Sequence, residues 1–132
     1  MTFVNHRAAK PFEGFRGQVL VALSGDRAPF ATSGQKLTGP QGYSVMRVDL
    51  DAKSVSDFLF NTRRLPAHLT KDAPNAIERP IDVQFGPDGA LYILDFGVME
   101  VEEGQEKVKS KTGKVYRLGP AQVPATQPVQ VP

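Results

Sequence analysis

Arg79 stands at the head of an alternating apolar segment, Glu78-Arg79-Pro80-Ile81-Asp82-Val83. A guanidinium at a strand end can grip a carboxylate through two parallel N–H···O bonds. Arg79 is therefore the first candidate for holding an anionic ligand. The competing role is an arginine that caps loop carbonyls or pairs with Glu78 or Asp82. Asp26 and Arg27 lie in a loop punctuated by Gly25, Pro29, Gly34, Gly39, Pro40 and Gly42. They join a site only if something packs on that loop; a solvated loop is the alternative. His6 and His68 have no ligand-forming neighbour at metal-type spacing, and both are expected on the surface. Asp95-Phe96-Gly97 spells the magnesium-binding triplet of kinases, but no glycine-rich phosphate loop or catalytic loop accompanies it. Asp95 is expected instead to accept hydrogen bonds from loop amides at a strand end.

The totals limit the chemistry further. The chain has 132 residues, 40% of them apolar, with 16 basic and 14 acidic residues and a net charge of +2. That balance gives no electrostatic case for a nucleic-acid partner. With no cysteine, thiol catalysis, disulfides and thiolate metal sites are excluded. No apolar run approaches the roughly 20 residues of a membrane helix. The opening MTFVNHRAAKPFEGF has no apolar stretch of signal-peptide type. Met1 reads as a possible internal methionine of a longer protein.

These side chains need strands to hold them. Ile81 to Phe85 alternates, Ala90 to Phe96 is rich in β-formers, and Gly86-Pro87-Asp88-Gly89 between them has the residues of a tight turn. Gly113 to Leu118 is a third strand. The first half carries similar pieces: Gly17 to Leu23 matches the strand after Gly89, and Gly42 to Val48 matches Gly113 to Leu118. The paired glycines lie 25 and 24 residues apart, which points to a weak repeat with a period of about 72 residues. Val55 to Phe60 closes the first unit. No strong helix is expected.

Long connections (23–42, 61–78 and 97–112) alternate with short ones (50–54 and 86–89). Antiparallel order places the long ones at one end of the sheets, where function would lie. Four-stranded antiparallel units repeated in this way predict an all-β fold, a β-propeller, with about two partial four-stranded blades at 15–60 and 79–118. The first blade is expected to lack its innermost strand and the second its outermost. Residues 1–14 read as an incomplete lead-in, and 119–132, with a proline every fourth residue from Pro120, as an extended tail or linker. Open blade edges call for further blades or other copies of the chain. The stretch VMEVEEGQEKVKSK reads as an exposed ribbon. A turn at Gly104-Gln105 would set Val101 opposite Val108, Glu102 opposite Lys107, Glu100 opposite Lys109 and Glu103 opposite Glu106.

The stretch ERPIDVQFGPDGALYILDFG…GKVYRL resembles the last blade of the soluble quinoprotein glucose/sorbosone dehydrogenase family. GQVLVALSGDR…GYSVMRVDLD…VSDFL is similar to the blade before it. The likeness covers about 15–118, roughly a third of such a six-bladed propeller. It implies pyrroloquinoline quinone (PQQ) as cofactor, a sugar as substrate, Ca2+ in a longer parent protein and a periplasmic or secreted location. It also implies that Arg79 faces the quinone carboxylates, with Arg27 and Ser24 near them. Ile81 stands where members often carry a second arginine, and Ser24 where they often carry a lysine. No residue of this chain matches the family's proton-abstracting histidine or its calcium ligands. The alternative is a non-catalytic propeller module that binds a ligand or partner through its long-loop face.

Overall fold

The computed structural model describes residues 1–25, 41–70, 76–102 and 105–120. The chain is all-β, built from antiparallel sheets, none of which closes on itself. The first sheet has the order β1-β2-β3-β4: Thr2–Phe3, Val19–Leu23, Ser44–Asp49 and Ser54–Phe60. The second joins β5 (Pro80–Phe85), β6 (Leu91–Asp95) and β9 (Lys114–Leu118) in that order. A separate ribbon pairs β7 (Met99–Glu102) with β8 (Gln105–Val108). Two short 3-10 helices, Lys10–Phe15 and Ala67–Leu69, complete the elements.

The strands form where the period-2 pattern places them. In β6, Leu91, Ile93 and Asp95 are buried while Leu94 is exposed. Their cross-strand partners on β9 are Leu118, Tyr116 and Lys114. One apolar face of each sheet meets the other. Leu20 and Val45 from the first sheet join Val83, Leu91 and Ile93 from the second in a common core.

The amino-terminal segment does more than lead in. Val4, Ala8 and Phe12 belong to this core, and Phe12 packs edge-on to Phe85 with centroids 5.3 Å apart. The expectation that the first unit lacks an inner strand is corrected, because Thr2 and Phe3 pair with Leu20 and Val19. Two paired residues between Met1 and Val4 give too short an alternation to register as a strand in the sequence. The segregation of long and short connections is also less strict than expected. Segment 4–18 is long, yet it lies at the same end as the tight turn, where the Ala9 amide donates to the Gly89 carbonyl at 2.8 Å.

That turn is over-determined. Gly86 accepts from the Gly89 amide at 3.0 Å, and Gly89 has φ +74°. A Cβ on Gly89 would fall 2.6 Å from the Arg7 carbonyl oxygen. Asp88 accepts from the Ala90 amide (3.1 Å), the Tyr92 hydroxyl (3.0 Å) and Arg117 Nε (3.0 Å). Partial burial pushes the Asp88 carboxyl up, but the Ala90 amide, Arg117 and Tyr92 together outweigh it and hold it below the usual aspartate value.

The ribbon forms in a different register from the one expected. Met99 faces Val108, Glu100 faces Lys107 and Glu102 faces Gln105, so the partner of Val108 moves from Val101 to Met99. Glu106 faces Val101, and the expected Glu103–Glu106 pairing lies outside the described residues. Met99 is buried. A shift of two residues leaves pleat parity unchanged. The expected Glu100–Lys109 attraction survives as a diagonal pair at 3.5 Å.

Gly89→Ala should destabilise the fold by at least about 1–2 kcal/mol, the cost of a left-handed non-glycine residue. Gly14→Ala, which meets nothing within 4 Å, should change little; denaturant unfolding of both variants measures the contrast. Asp88 has a depressed folded-state pKa, so its contribution is present above the unfolded aspartate pKa and is lost as pH falls through the folded value. Melting temperatures across acid pH should therefore fall less steeply in Asp88→Asn than in the parent chain.

Candidate functional site

The alternation that buries Leu91 and Ile93 also carries Asp95 inward, to 2% exposure. A lone carboxylate in such a place needs donors. Asp95 has three, all backbone amides: Oδ1 accepts from Arg79 (3.0 Å) and Gly97 (2.8 Å), and Oδ2 from Glu78 (2.6 Å). The Phe96 amide returns a bond to the Arg79 carbonyl at 2.9 Å. The role expected for Asp95 is the one observed.

The two residues held by this clamp serve different clefts. Arg79 lines one of about 370 Å³ with Ser24, Gly25, Ile81, Phe96, Met99 and Glu106. Its Nη1 donates to the Ser24 carbonyl at 3.1 Å and its Nη2 to the Met99 carbonyl at 3.3 Å. The guanidinium lies over the Tyr43 ring, 5.0 Å from the centroid. Neither feared carboxylate partner takes it in these bonds: Glu78 turns to His68, and Asp82 accepts from the Met1 amino group and the Val83 amide. Arg79 thus ties three chain segments together: the end of β2, the start of β5 and the start of β7.

Arg79 and Ser24, two of the residues singled out from sequence, are brought together here, but Ser24 contributes its backbone carbonyl to the arginine. Arg27 lies outside the described residues. Gly25 adopts φ +91° beneath Tyr43, where a Cβ would fall 2.2 Å from the ring. That contact packs the loop base against the ring that supports Arg79. Ile81 is 46% exposed beside the cleft. The β-bulge between Pro80 and Asp82 offsets its register.

The cleft suits one end of a flat acidic ring system. Ile81, Phe96 and Met99 give apolar walls, and Arg79 brings a cation to the rim. Glu106 on the same wall opposes a second carboxylate. Among the described lining residues Arg79 is the only cation. The residues present therefore fit one carboxylate of a quinone tricarboxylate; the others need cations from outside this set.

The second cleft, about 310 Å³, includes Glu78, Asp95, His68, Thr112 and Tyr116. Here a surface expectation fails: His68 is paired with Glu78, which is only 6% exposed. His6 is exposed, as expected. The His68–Glu78 pair joins residues ten apart in the sequence, and no local pattern announces it. The only sequence signal is an acid immediately before a strand that starts on a buried residue. Among the described residues no group of three or more His, Asp or Glu side chains is placed to hold a metal ion, and no helix is long and apolar enough to cross a membrane.

Asp95→Asn should cost about 1–3 kcal/mol, because a side-chain NH2 would replace one acceptor and face a buried amide. Asp95→Ala, which removes all three bonds, should cost more. Urea unfolding gives both values, and a cost near zero would remove Asp95 from the role of clamp. No protein-family model, curated protein or solved structure matches this chain.

Proposed function

We propose that this chain supplies two neighbouring blades of a six-bladed propeller of the quinoprotein sugar dehydrogenase type, and that Arg79 contributes to the rim of its cofactor site. The observation that carries the reading is the position of Arg79. It stands at the long-connection end, on the entry to β5, lining an apolar cleft whose walls come from both sheets and the ribbon. The resemblance of ERPIDVQFGPDGALYILDFG to that family points the same way.

In this reading PQQ, when bound, supplies the chemistry: it accepts two electrons as a sugar hydroxyl or aldehyde is oxidised. The contribution of this chain is electrostatic and steric. Arg79 would meet one carboxylate, oriented by the Ser24 and Met99 carbonyls and the Tyr43 ring. Ile81 and Phe96 would exclude water from the ring's face. The proton-accepting base and calcium ligands of such an enzyme belong to other blades.

A second reading has its own support. Both Nη atoms of Arg79 already donate to main-chain carbonyls, which is how an arginine behaves when its role is to join segments. In that case the chain is a non-catalytic propeller module that binds a ligand or partner at the same end.

Titration of the full-length parent protein with PQQ, followed by absorbance, separates the two. Under the enzyme reading Arg79→Ala weakens binding by roughly 1.5–3 kcal/mol, the range for a hydrogen bond to a charged group. Arg79→Lys recovers only part of this, since the fork geometry is lost. Both variants are compared well below their melting temperatures, because leaving the Ser24 and Met99 carbonyls without their donor also lowers stability. Unchanged PQQ affinity in Arg79→Ala, with a clear drop in melting temperature, assigns Arg79 to structure and favours the second reading.

A further inference from the structure

The cleft on the other side of the Glu78–Arg79 step has chemistry of its own. Glu78 uses both carboxylate oxygens on one residue: Oε2 accepts from the His68 backbone amide at 2.8 Å, and Oε1 meets His68 Nδ1. One proton is shared between Glu78 Oε1 and His68 Nδ1, so that ring nitrogen is committed to the carboxyl group. Nε2 is the ring nitrogen left to meet a ligand. Among the described residues Nε2 has no protein partner, and His68 lines the cleft. A carboxyl group that engages one ring nitrogen fixes the ring's orientation and with it the direction of the other nitrogen.

The remaining walls narrow the class of ligand. The Tyr116 hydroxyl donates to the Ala76 carbonyl at 3.0 Å, and Thr112 Oγ1 donates to the Lys109 carbonyl at 2.7 Å. Their protons are committed; Thr112 Oγ1 already accepts from the Val98 amide at 2.9 Å and keeps one acceptor site, and the Tyr116 oxygen can accept. Asp95 and Glu78 make the interior negative. Together with burial, which is the larger cause, they push the Tyr116 hydroxyl above the usual tyrosine value. Lys111 and Lys114 lie at the exposed side of the lining, where solvent screens them more than it screens the two buried carboxylates. A small anion is thus disfavoured inside. A ligand that brings O–H donors and no charge matches the acceptors present. The aliphatic and ring surfaces of Ala67, Val98 and Tyr116 would cover its carbon skeleton, and a cleft near 300 Å³ sits at the lower end of ligand-pocket sizes.

We propose that this cleft binds a small uncharged polyhydroxylated molecule, one hydroxyl of which hydrogen-bonds to His68 Nε2. The site does not rest on the quinone reading, since neither Arg79 nor Ser24 lines it. The plainer role, a staple that holds the 61–78 connection, uses Nδ1 and the backbone amide alone and makes no demand on Nε2.

The two histidines of the chain make the test direct. Isotope-labelled full-length chain is titrated with glycerol and with D-glucose, and separately with inorganic phosphate, while the ring signals of His68, His6 and Tyr116 are followed by NMR. The expected result is a saturable shift of His68 and Tyr116 with a neutral probe, His6 unmoved, and no saturable response to phosphate. His68→Gln should abolish the saturable Tyr116 shift, and Arg79→Ala should leave it in place. If His68→Gln fails to fold, the parent-chain titration referenced to His6 still decides. Linear shifts shared by His6 and His68 up to 100 mM of both neutral probes overturn the proposal. A saturable shift with phosphate but not with the neutral probes does so equally.

Discussion

Three backbone amides, from Glu78, Arg79 and Gly97, converge on the carboxylate of Asp95. These are charge-assisted bonds in a site removed from water, about twice as strong as neutral ones. The clamp sets the course of the chain on both sides. It holds the entry to β5 at the exit of β6, so that Glu78 and Arg79 serve clefts on opposite sides. Every candidate for chemistry in the described protein is positioned through it: Arg79 directly, His68 through Glu78, and Met99 through Arg79.

The rest of the fold keeps this clamp dry. The two sheets share one apolar core, and the amino-terminal segment closes it from below through Val4, Ala8 and Phe12. Gly89 and the Arg7–Ala9 backbone are in contact at that end. Arg79 does the corresponding work at the other end, joining the Ser24 and Met99 carbonyls across 55 and 20 residues of chain. A cation that bridges segments in this way is oriented for a ligand and is structural at once. Its two roles are separable only by measuring binding and stability on the same variants.

The outer faces are a different matter. Leu94 and Val115 form a cross-strand pair, 44% and 65% exposed, and Ile81 and Phe96 lie nearby at 46% and 41%. On the first sheet Val55 is 64% exposed. Within the chain, one apolar sheet face is covered by another; these faces are of the same kind.

Much of the strand framework was legible because its causes are local. Alternation over Ile81–Phe85 and Ala90–Phe96, the Gly-Pro-Asp-Gly turn, and an aspartate continuing the Leu91, Ile93 parity are each readable from a few adjacent residues. The ribbon's existence was readable from its opposite charges, but not its register: that depends on Met99 being buried and on Arg79 bonding its carbonyl, contacts made 20 residues apart. The Thr2–Phe3 strand was hidden because two residues carry no period. Sequence marked Arg79 as a basic side chain before a strand. Only the tertiary structure decided that its donors meet the Ser24 and Met99 carbonyls. The His68–Glu78 pair belongs wholly to the tertiary structure. Its partners lie ten residues apart, and only the burial of Glu78 beside the Asp95 clamp, where a carboxyl group must find hydrogen-bond partners, brings the histidine to it.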